Sequence, residues 1–429
     1  MEALLWGILG PERVAIERRS RTLGLGAAVR AFNDLAVPGM GNVYFGKQLV
    51  LAVLGIAVAQ HIRERGGKAQ NIETANAVEA LACFLAFEQN KWSSDIRLRG
   101  VSKMSGKPVP TFEAARKRNF YVTQPMRMAT IQPLREIHLV EARAERFNAF
   151  AIAERGQSLI DQFCDEYPQV YHSRNVFRRL CDWASGDSRK LTSLTEALSP
   201  CQPLPDNVRA KLRTYIVDGD DHGAKRRKAV FEWVKSFGWQ PIELTAGRPA
   251  QLDEAHWNDI ESGAAFFAVR DAAIALLDAV EEQMGDSSVP KLFLGQALPD
   301  NLKPWIDDLG RLAQAFIDRS YDPSPANDAS RFCRECLETG HVIENLVERD
   351  GRVLKLVDGA VIPGSAFRGR AGSGLEVNST EEEEESAEAH THEAGTFGSF
   401  SPRIWNMQLL AMDLDGSLSD YLETLKAEQ

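Results

Sequence analysis

Residues 120–163 decide the fold of their part of the chain, and they read FYVTQPMRMATIQPLREIHLVEARAERFNAFAIAERGQSLIDQF. The apolar spacing in the first part fits one face of a helix, through Met128, Ile131, Leu134 and Ile137. Residues 139–142 and 147–152 then predict the two strands of a hairpin. A second helix is expected from Glu154 through Phe163. The run therefore predicts helix, hairpin and helix in that order.

This order resembles the recognition helix, wing and closing helix of winged helix-turn-helix regulators. Their recurrent rhythm is L-x-x-x-G-L-V-E followed by R-F-x-x-F-x-L-T-E-x-G. In this chain His138 holds the place of the first glycine, and Pro133 is compatible with the helix only in its first turn. The resemblance implies a winged-helix-like module over residues 111–165 that binds DNA or docks a protein. The alternative is an ordinary helix–hairpin–helix piece of a larger domain.

The local charge supports contact with DNA. Residues 114–147 contain seven basic and three acidic side chains, a net charge of +4, whereas the whole chain carries −10. A phosphate-binding surface must therefore be a patch on an acidic protein. The resemblance implies that Arg127 and Arg135 approach the major groove and that Arg143 and Arg146 meet the DNA from the wing. The alternative is that these arginines form a solvated surface.

The composition is that of a globular protein with two or three domains. The chain has 429 residues, of which 44% are apolar and 26% charged. The longest apolar run, residues 49–59, is too short to span a bilayer and predicts a buried helix, so we expect no membrane association. The N-terminal sequence lacks the pattern of a secretory signal. Six scattered cysteines indicate reduced thiols, which favours a cytoplasmic location.

The hydrophobic pattern predicts a mainly α fold with an embedded winged-helix-like module and a small C-terminal β meander. The expected parts are a helical domain (1–100), the module (111–165), a second helical domain (166–345), the meander (346–368), a disordered acidic linker (369–400) and a terminal helix (401–429). The meander rests on two hairpin signals, Asp350-Gly351 and Asp358-Gly359. The linker contains five consecutive glutamates, Glu381–Glu385. The terminal helix is expected to dock back or to bind a protein partner.

Two motifs resemble parts of phosphate-handling sites. Residues 41–47, GNVYFGK, have the spacing of a phosphate-binding loop, but Gln48 replaces the hydroxyl residue that would hold Mg²⁺. A glycine-punctuated turn between helices is therefore the preferred interpretation. Residues 413–417, DLDGS, resemble the nucleophile motif of haloacid-dehalogenase-type phosphatases. Only twelve residues follow Ser417, which excludes the rest of such an active site downstream.

Two further groups are candidate metal ligands. Cys333, Cys336 and His341 have the spacing of the first three ligands of a retroviral-type zinc knuckle, whose fourth position is held here by Leu346. The alternative is two buried thiols on one helical turn. The second group follows residues 215–217, interpreted as a short strand, and could bind a divalent cation for phosphoryl chemistry through Asp218, Asp220, Asp221 and His222. Its alternative is a turn that caps the next helix.

These observations favour a non-enzymatic DNA-associated or assembly subunit. In overall style, a long motif-poor chain around one such module is similar to accessory proteins of bacterial defence, including antiviral defence, or of mobile-element systems. Two other classes stay open. One is a metal-dependent enzyme acting on nucleic acid or phosphate esters through residues 218–222. The other is a protein scaffold that binds its partner through the terminal helix.

Overall fold

The structure is a computed structural model that describes most of the chain. The described residues are 21, 23–242, 244, 247–286, 289–295, 297–338, 340–367 and 400–427. Almost all of the predicted acidic linker, including Glu381–Glu385, lies outside them. The chain divides into two compact units. The larger comprises residues 28–267, 323–325 and 380–429, and the smaller comprises residues 1–27, 268–322 and 326–379.

The described residues are mainly helical, as the sequence predicted. In chain order the helices are α1 Gly26–Ala36, α2 Gly46–Glu64, α3 Asn71–Gln89, α4 Val101–Met104, α5 Phe112–Ala115, α6 Ile131–Glu136, α7 Glu154–Glu166, α8 Val176–Ala184, α9 Thr195–Leu198, α10 Asp206–Val217, α11 His222–Lys235, α12 Glu254–Gly285, α13 Lys303–Asp318, α14 Asp328–Leu337, α15 Val342–Asp350, α16 Pro402–Asp415 and α17 Leu418–Ala427. The strands are β1 Val140–Ala142, β2 Phe150–Ile152, β3 Leu292–Phe293, β4 Leu354–Val357 and β5 Ala360–Pro363.

The core of the larger unit is built around α2 and α3. The apolar run at residues 49–59 lies on α2 and is buried along its whole length, as predicted. The two helices pack closely because Gly55 has no side chain, and a Cβ there would collide with Ala75. One hydrophobic cluster extends from Ala36 to Leu422. Segments that the sequence assigned to the N-terminal domain, the module, the second helical domain and the terminal helix therefore share this core.

The C-terminal segment packs into the same core. The predicted single helix is two helices, α16 and α17, which are separated at Gly416 with a left-handed φ of +85°. On α16, Ile404, Met407 and Leu410 are buried. The apolar side of this helix is therefore used inside the larger unit, which corresponds to the docked alternative of the sequence analysis.

The smaller unit contains a small antiparallel sheet in the order β3-β5-β4, and only its β4–β5 hairpin belongs to the β meander predicted at residues 346–368. Strands β4 and β5 form a hairpin through Asp358-Gly359, where both residues have positive φ, as predicted. The third strand is β3, which pairs antiparallel with β5. The prediction of a first strand before Asp350-Gly351 is wrong, because those residues end α15. Gly351, with a φ of +59°, is the left-handed residue that follows the helix.

Within the described residues, none of the helices combines the length and the apolar character that crossing a bilayer requires.

Candidate nucleic-acid interface

The helix, hairpin and helix of residues 120–163 are present, but the first helix is interrupted. Residues Met126–Thr130 form a 3₁₀ turn, and α6 begins only at Ile131. Pro133 therefore lies in the first turn, where its missing N–H removes no helical hydrogen bond. Leu134 and Ile137 are fully buried, as the helical spacing predicted.

Arg127 lies inside the larger unit. It is 4% exposed, its Nε donates to Asn76 Oδ1 at 2.6 Å, and its guanidinium lies over the ring of Phe147. The backbone N–H groups of Met126 and Arg127 donate to the buried carboxylate of Glu79 at 2.6 and 3.0 Å. Arg127 is thus fixed in the interior. The contact of Arg127 with the major groove stays a prediction, which this interior position does not favour.

Helix α6 is covered on its polar side as well. Gln132 donates to Asp34 on α1 at 2.6 Å and accepts from Arg403 on α16 at 3.0 Å. Glu136 accepts from Arg227 on α11 at 2.9 Å. Residues 126–137, all of which the structure describes, are buried or half-buried. Gln132 and Glu136 thus connect α6 to three other helices, α1, α11 and α16.

His138 provides the tight turn between α6 and the hairpin. Its φ is +58°, the left-handed conformation that glycine adopts most easily, and its side chain is exposed. The N–H of Leu139 closes the turn on the carbonyl of Leu134 at 2.9 Å.

The hairpin contacts α3 through the connection between its strands and the start of β2, and it also contacts α7. Strands β1 and β2 are antiparallel, with Val140 opposite Ile152. Asn71 at the start of α3 donates to the carbonyls of Phe147 and Phe150 at 3.0 and 2.8 Å. Asn148 accepts from the N–H of Ile72 at 3.0 Å. These polar contacts hold the hairpin in place.

Gly156 allows α7 to begin close to the hairpin. A Cβ at this position would collide with the carbonyl oxygen of Leu139. The same carbonyl accepts from the N–H of Ala153 at 3.1 Å. Helix α7 therefore begins directly against the hairpin because residue 156 has no side chain.

The three other predicted contact arginines differ in their surroundings. Arg135 is partly exposed and lies 3.5 Å from Glu145. Arg143 and Arg146 are exposed on the connection between β1 and β2. Among the described residues no carboxylate pairs with either of them. Arg143 and Arg146 are thus the members of the predicted set that can meet a polyanion without first breaking an ion pair.

Further exposed cations lie outside the hairpin; the sequence analysis counted Lys117 and Arg118 only within the net charge of residues 114–147 and did not consider the others. They lie on the connection between α2 and α3, at the end of α5 and at the start of α8, and comprise Arg63, Arg65, Lys68, Lys117, Arg118 and Arg178. The run RERGGK at residues 63–68 was the available sequence signal. This run was overlooked because it is distant in sequence from the hairpin that it adjoins.

Other basic side chains that could be counted toward such a surface are buried at the end of α1. The carbonyls of Leu35, Ala36, Val37 and Pro38 accept, in that order, from Arg226, His256, Arg403 and Arg227. Arg226 also pairs with buried Asp259 at 2.6 Å. Burial lowers the pKa of His256, so the neutral ring donates through Nε2. Leu35 and Ala36 lie in the last turn of α1, where a helix leaves carbonyls without intrahelical partners, and Val37 and Pro38 follow it directly.

The two phosphate-site motifs meet inside the larger unit. Gly46 begins α2, and its N–H donates to Asp413 Oδ2 at 2.8 Å. Lys47 is 1% exposed and donates to the carbonyl of Ala197 at 2.7 Å. Burial lowers the pKa of Lys47 to about 7, and burial raises the pKa of Asp413. The carboxylate of Asp413 thus occupies the helix N-terminus where a phosphate would bind, which agrees with the structural interpretation of residues 41–47.

Cys333, Cys336 and His341 do not share one environment. Both thiols are buried on α14, and burial raises the pKa of Cys336 to about 12 and that of Cys333 further. His341 is exposed before α15 and its Nδ1 lies 2.8 Å from Glu344 Oε2. Protonated thiols are poor zinc ligands. This arrangement matches the alternative of two buried thiols on one helical turn.

The acidic group at residues 218–222 lies between two helices. Residues 215–217 are the end of α10, so the prediction of a short strand there is wrong. Asp221 accepts from the N–H of Ala224 at 2.8 Å and caps α11, as the alternative predicted. Asp218, Asp220 and His222 are exposed. Across the described ranges, no three His, Cys, Asp or Glu side chains are grouped closely enough to hold a metal ion.

Comparisons with protein-family models, with curated proteins and with solved structures found no match to this chain.

Proposed function

We propose that this protein is a non-enzymatic DNA-associated subunit that contacts the phosphate backbone through the hairpin of residues 140–152. The observation that carries the proposal is the contrast among its arginines. Arg143 and Arg146 are exposed without carboxylate partners in the described part of the chain, while Arg127 is fixed in the interior. Exposed guanidinium groups suit the phosphate oxygens of nucleic acid.

The firm attachment of the hairpin also supports this proposal. Three hydrogen bonds of Asn71 and Asn148 fix residues 147–150 of the hairpin to the start of α3. A preorganised hairpin loses little conformational entropy when it binds, so more of the electrostatic attraction contributes to affinity. The net charge of −10 makes this attraction local and keeps DNA from other parts of the protein.

The test is a titration of a labelled DNA duplex with the full chain, in which fluorescence anisotropy measures binding at about 50 mM and at about 200 mM salt. The proteins are the wild type and the double variant Arg143→Glu/Arg146→Glu. The matched control is Lys303→Glu/Arg311→Glu, which changes charge equally at two exposed positions of α13.

We expect the wild type to bind and to lose affinity with salt. The hairpin variant should bind at least about tenfold more weakly, because each phosphate contact contributes to the salt-dependent affinity. The control should lose much less. Failure of the wild type to bind at low salt, or equal losses in both variants, would contradict the proposal.

A further inference from the structure

We infer that the DNA-contacting surface extends beyond the hairpin, over the α2–α3 connection, the end of α5 and the start of α8. This inference rests on the proposed function and deepens it. We call this area the basic rim, which comprises residues 61–73, 116–118, 143–146 and 174–178. These segments contain ten basic and three acidic side chains, whereas the whole chain is acidic.

The contacts around residues 68–73 show that the segments adjoin. Arg63 donates to the carbonyl of Ala69 at 2.9 Å and to Asn71 Oδ1 at 3.0 Å. Asn71 in turn holds the hairpin through the carbonyls of Phe147 and Phe150. A hydrogen bond from Asn148 to Gln70 Oε1 at 3.3 Å also joins the two segments. The α2–α3 connection and the hairpin therefore form one continuous surface.

The end of α5 joins this surface from another side. Arg116 donates to Glu73 Oε2 at 2.6 Å and to the carbonyl of Lys68 at 3.4 Å. This pairing neutralises Glu73, one of the three acidic residues of the rim. Lys117 and Arg118 follow directly and are exposed. The α5 end therefore adds cations beside Lys68 and neutralises an acid there.

Helix α8 continues the rim beyond the α2–α3 connection. The rings of His61 and Phe177 lie 5.9 Å apart. Arg65 and Arg178 both act electrostatically on His61, whose pKa is lowered by burial and then by these two cations. Arg65, directly after α2, and Arg178 on α8 are thus close to the same histidine. Among the described residues no carboxylate pairs with Arg65, Lys68 or Arg178.

The chemistry of the rim favours nucleic acid over a membrane surface. A protein that rests on a bilayer inserts apolar or aromatic side chains beside its cations. All residues of the rim are described, and none of the large exposed apolar side chains lies among them. The rim instead offers guanidinium and ammonium groups spread over several elements. This arrangement suits the repeated phosphates of a DNA duplex.

The test compares the wild type, the hairpin variant Arg143→Glu/Arg146→Glu and a rim variant, Arg65→Glu/Lys68→Glu/Arg178→Glu. Arg63 stays unchanged because it holds the α2–α3 connection through Ala69 and Asn71. Binding to one DNA duplex is measured over a series of salt concentrations. Thermal unfolding and circular dichroism verify that each variant is folded. Vesicles of anionic lipid serve as a second ligand.

We expect the rim variant to bind DNA at least about tenfold more weakly. The slope of the logarithm of its binding constant against the logarithm of the salt concentration should become less steep by about 0.9 for each phosphate that the variant no longer neutralises. A folded rim variant that binds like the wild type, while the hairpin variant is weakened, would overturn the extension and leave the proposed function intact. Absence of DNA binding by the wild type would overturn both the extension and the proposed function. Tight binding to vesicles with no binding to DNA would also contradict both and indicate a membrane surface.

Discussion

Two neighbouring regions differ in how their charged side chains are placed. In the first, the 3₁₀ turn and helix α6 at residues 126–136, two of these side chains have partners on other helices. In the second, the β1–β2 hairpin at residues 140–152, they are exposed. Arg127 and Glu136 have partners from α3 and α11, at Asn76 and Arg227. Arg143 and Arg146 are exposed on the hairpin. Charge in the sequence is therefore a poor guide to a binding surface until the packing of each charged side chain is known.

The largest difference should appear when one arginine of each region is reversed in charge. We expect Arg127→Glu to lower the free energy of unfolding by about 3–5 kcal/mol, because it places a second carboxylate beside buried Glu79. Arg143→Glu should change it by no more than about 0.5 kcal/mol. Urea unfolding of both variants measures the difference. Equal losses would show that the interior position of Arg127 is wrong.

A smaller effect should follow from removing one acidic charge in each region. Glu136 pairs with Arg227, whose side chain is 2% exposed. We expect Glu136→Gln to cost about 1.5–3 kcal/mol, because it weakens a hydrogen bond to a buried charge. The control is Glu145→Gln, whose partner Arg135 lies at the surface and where the cost should stay below about 1 kcal/mol. Chemical denaturation compares the two, and a larger loss for Glu145→Gln would reverse the assignment.

The buried ammonium of Lys47 extends the comparison to a titrating group. Burial lowers its pKa from 10.5 to about 7 in the folded chain. Between these values the unfolded chain binds more protons at Lys47, so this residue's contribution to the free energy of unfolding rises with pH. The rise is at most about 1.4 kcal/mol per pH unit. Below pH 7 the penalty for burying the charge is present in full.

The measurement is the unfolding free energy at several pH values between about 7 and about 9.5 for wild type and Lys47→Met. The buried cysteines, whose pKa values are raised, make the free energy of unfolding fall with pH. Their contribution is the same in both proteins, so it cancels when the value for Lys47→Met is subtracted from that of the wild type. As the pH rises, the free energy of unfolding of the wild type should increase relative to that of Lys47→Met. Lys190→Met, at an exposed position, should run parallel to the wild type. A parallel course for Lys47→Met would mean that Lys47 stays protonated when folded.

Local patterns predicted the elements of this region but not the state of its charges. The helical spacing of Leu134 and Ile137, the hairpin and the turn at Asp358-Gly359 follow from the periods of helices and strands and from turn chemistry. Asp350-Gly351 carries the same turn signal but ends a helix, because residues 342–350 pack as α15. A two-residue signal cannot distinguish these outcomes.

The burial of Arg127 and the coverage of α6 depend on contacts between distant parts of the chain. The partner of Arg127 is 51 residues away, and the hydrogen bond between Gln132 and Arg403 spans 271 residues. Neither distance is encoded in a local pattern. Residues 61–73 and 174–178 of the basic rim were missed for the same reason, since Arg63 is linked to the hairpin through Asn71.

The smallest effect that we expect is on sequence preference, and it separates the two regions most directly. Base recognition in winged-helix regulators comes from the helix, whereas phosphate contacts carry no sequence information. Since α6 is covered and the hairpin is exposed, affinities for unrelated duplexes of equal length should agree within about tenfold. Competition titrations with several unlabelled duplexes measure this ratio. A preference of about a thousandfold would require base contacts. Helix α6 would then have to leave its packing against Arg227 and Arg403, and the packed arrangement of α6 would not be the DNA-bound one.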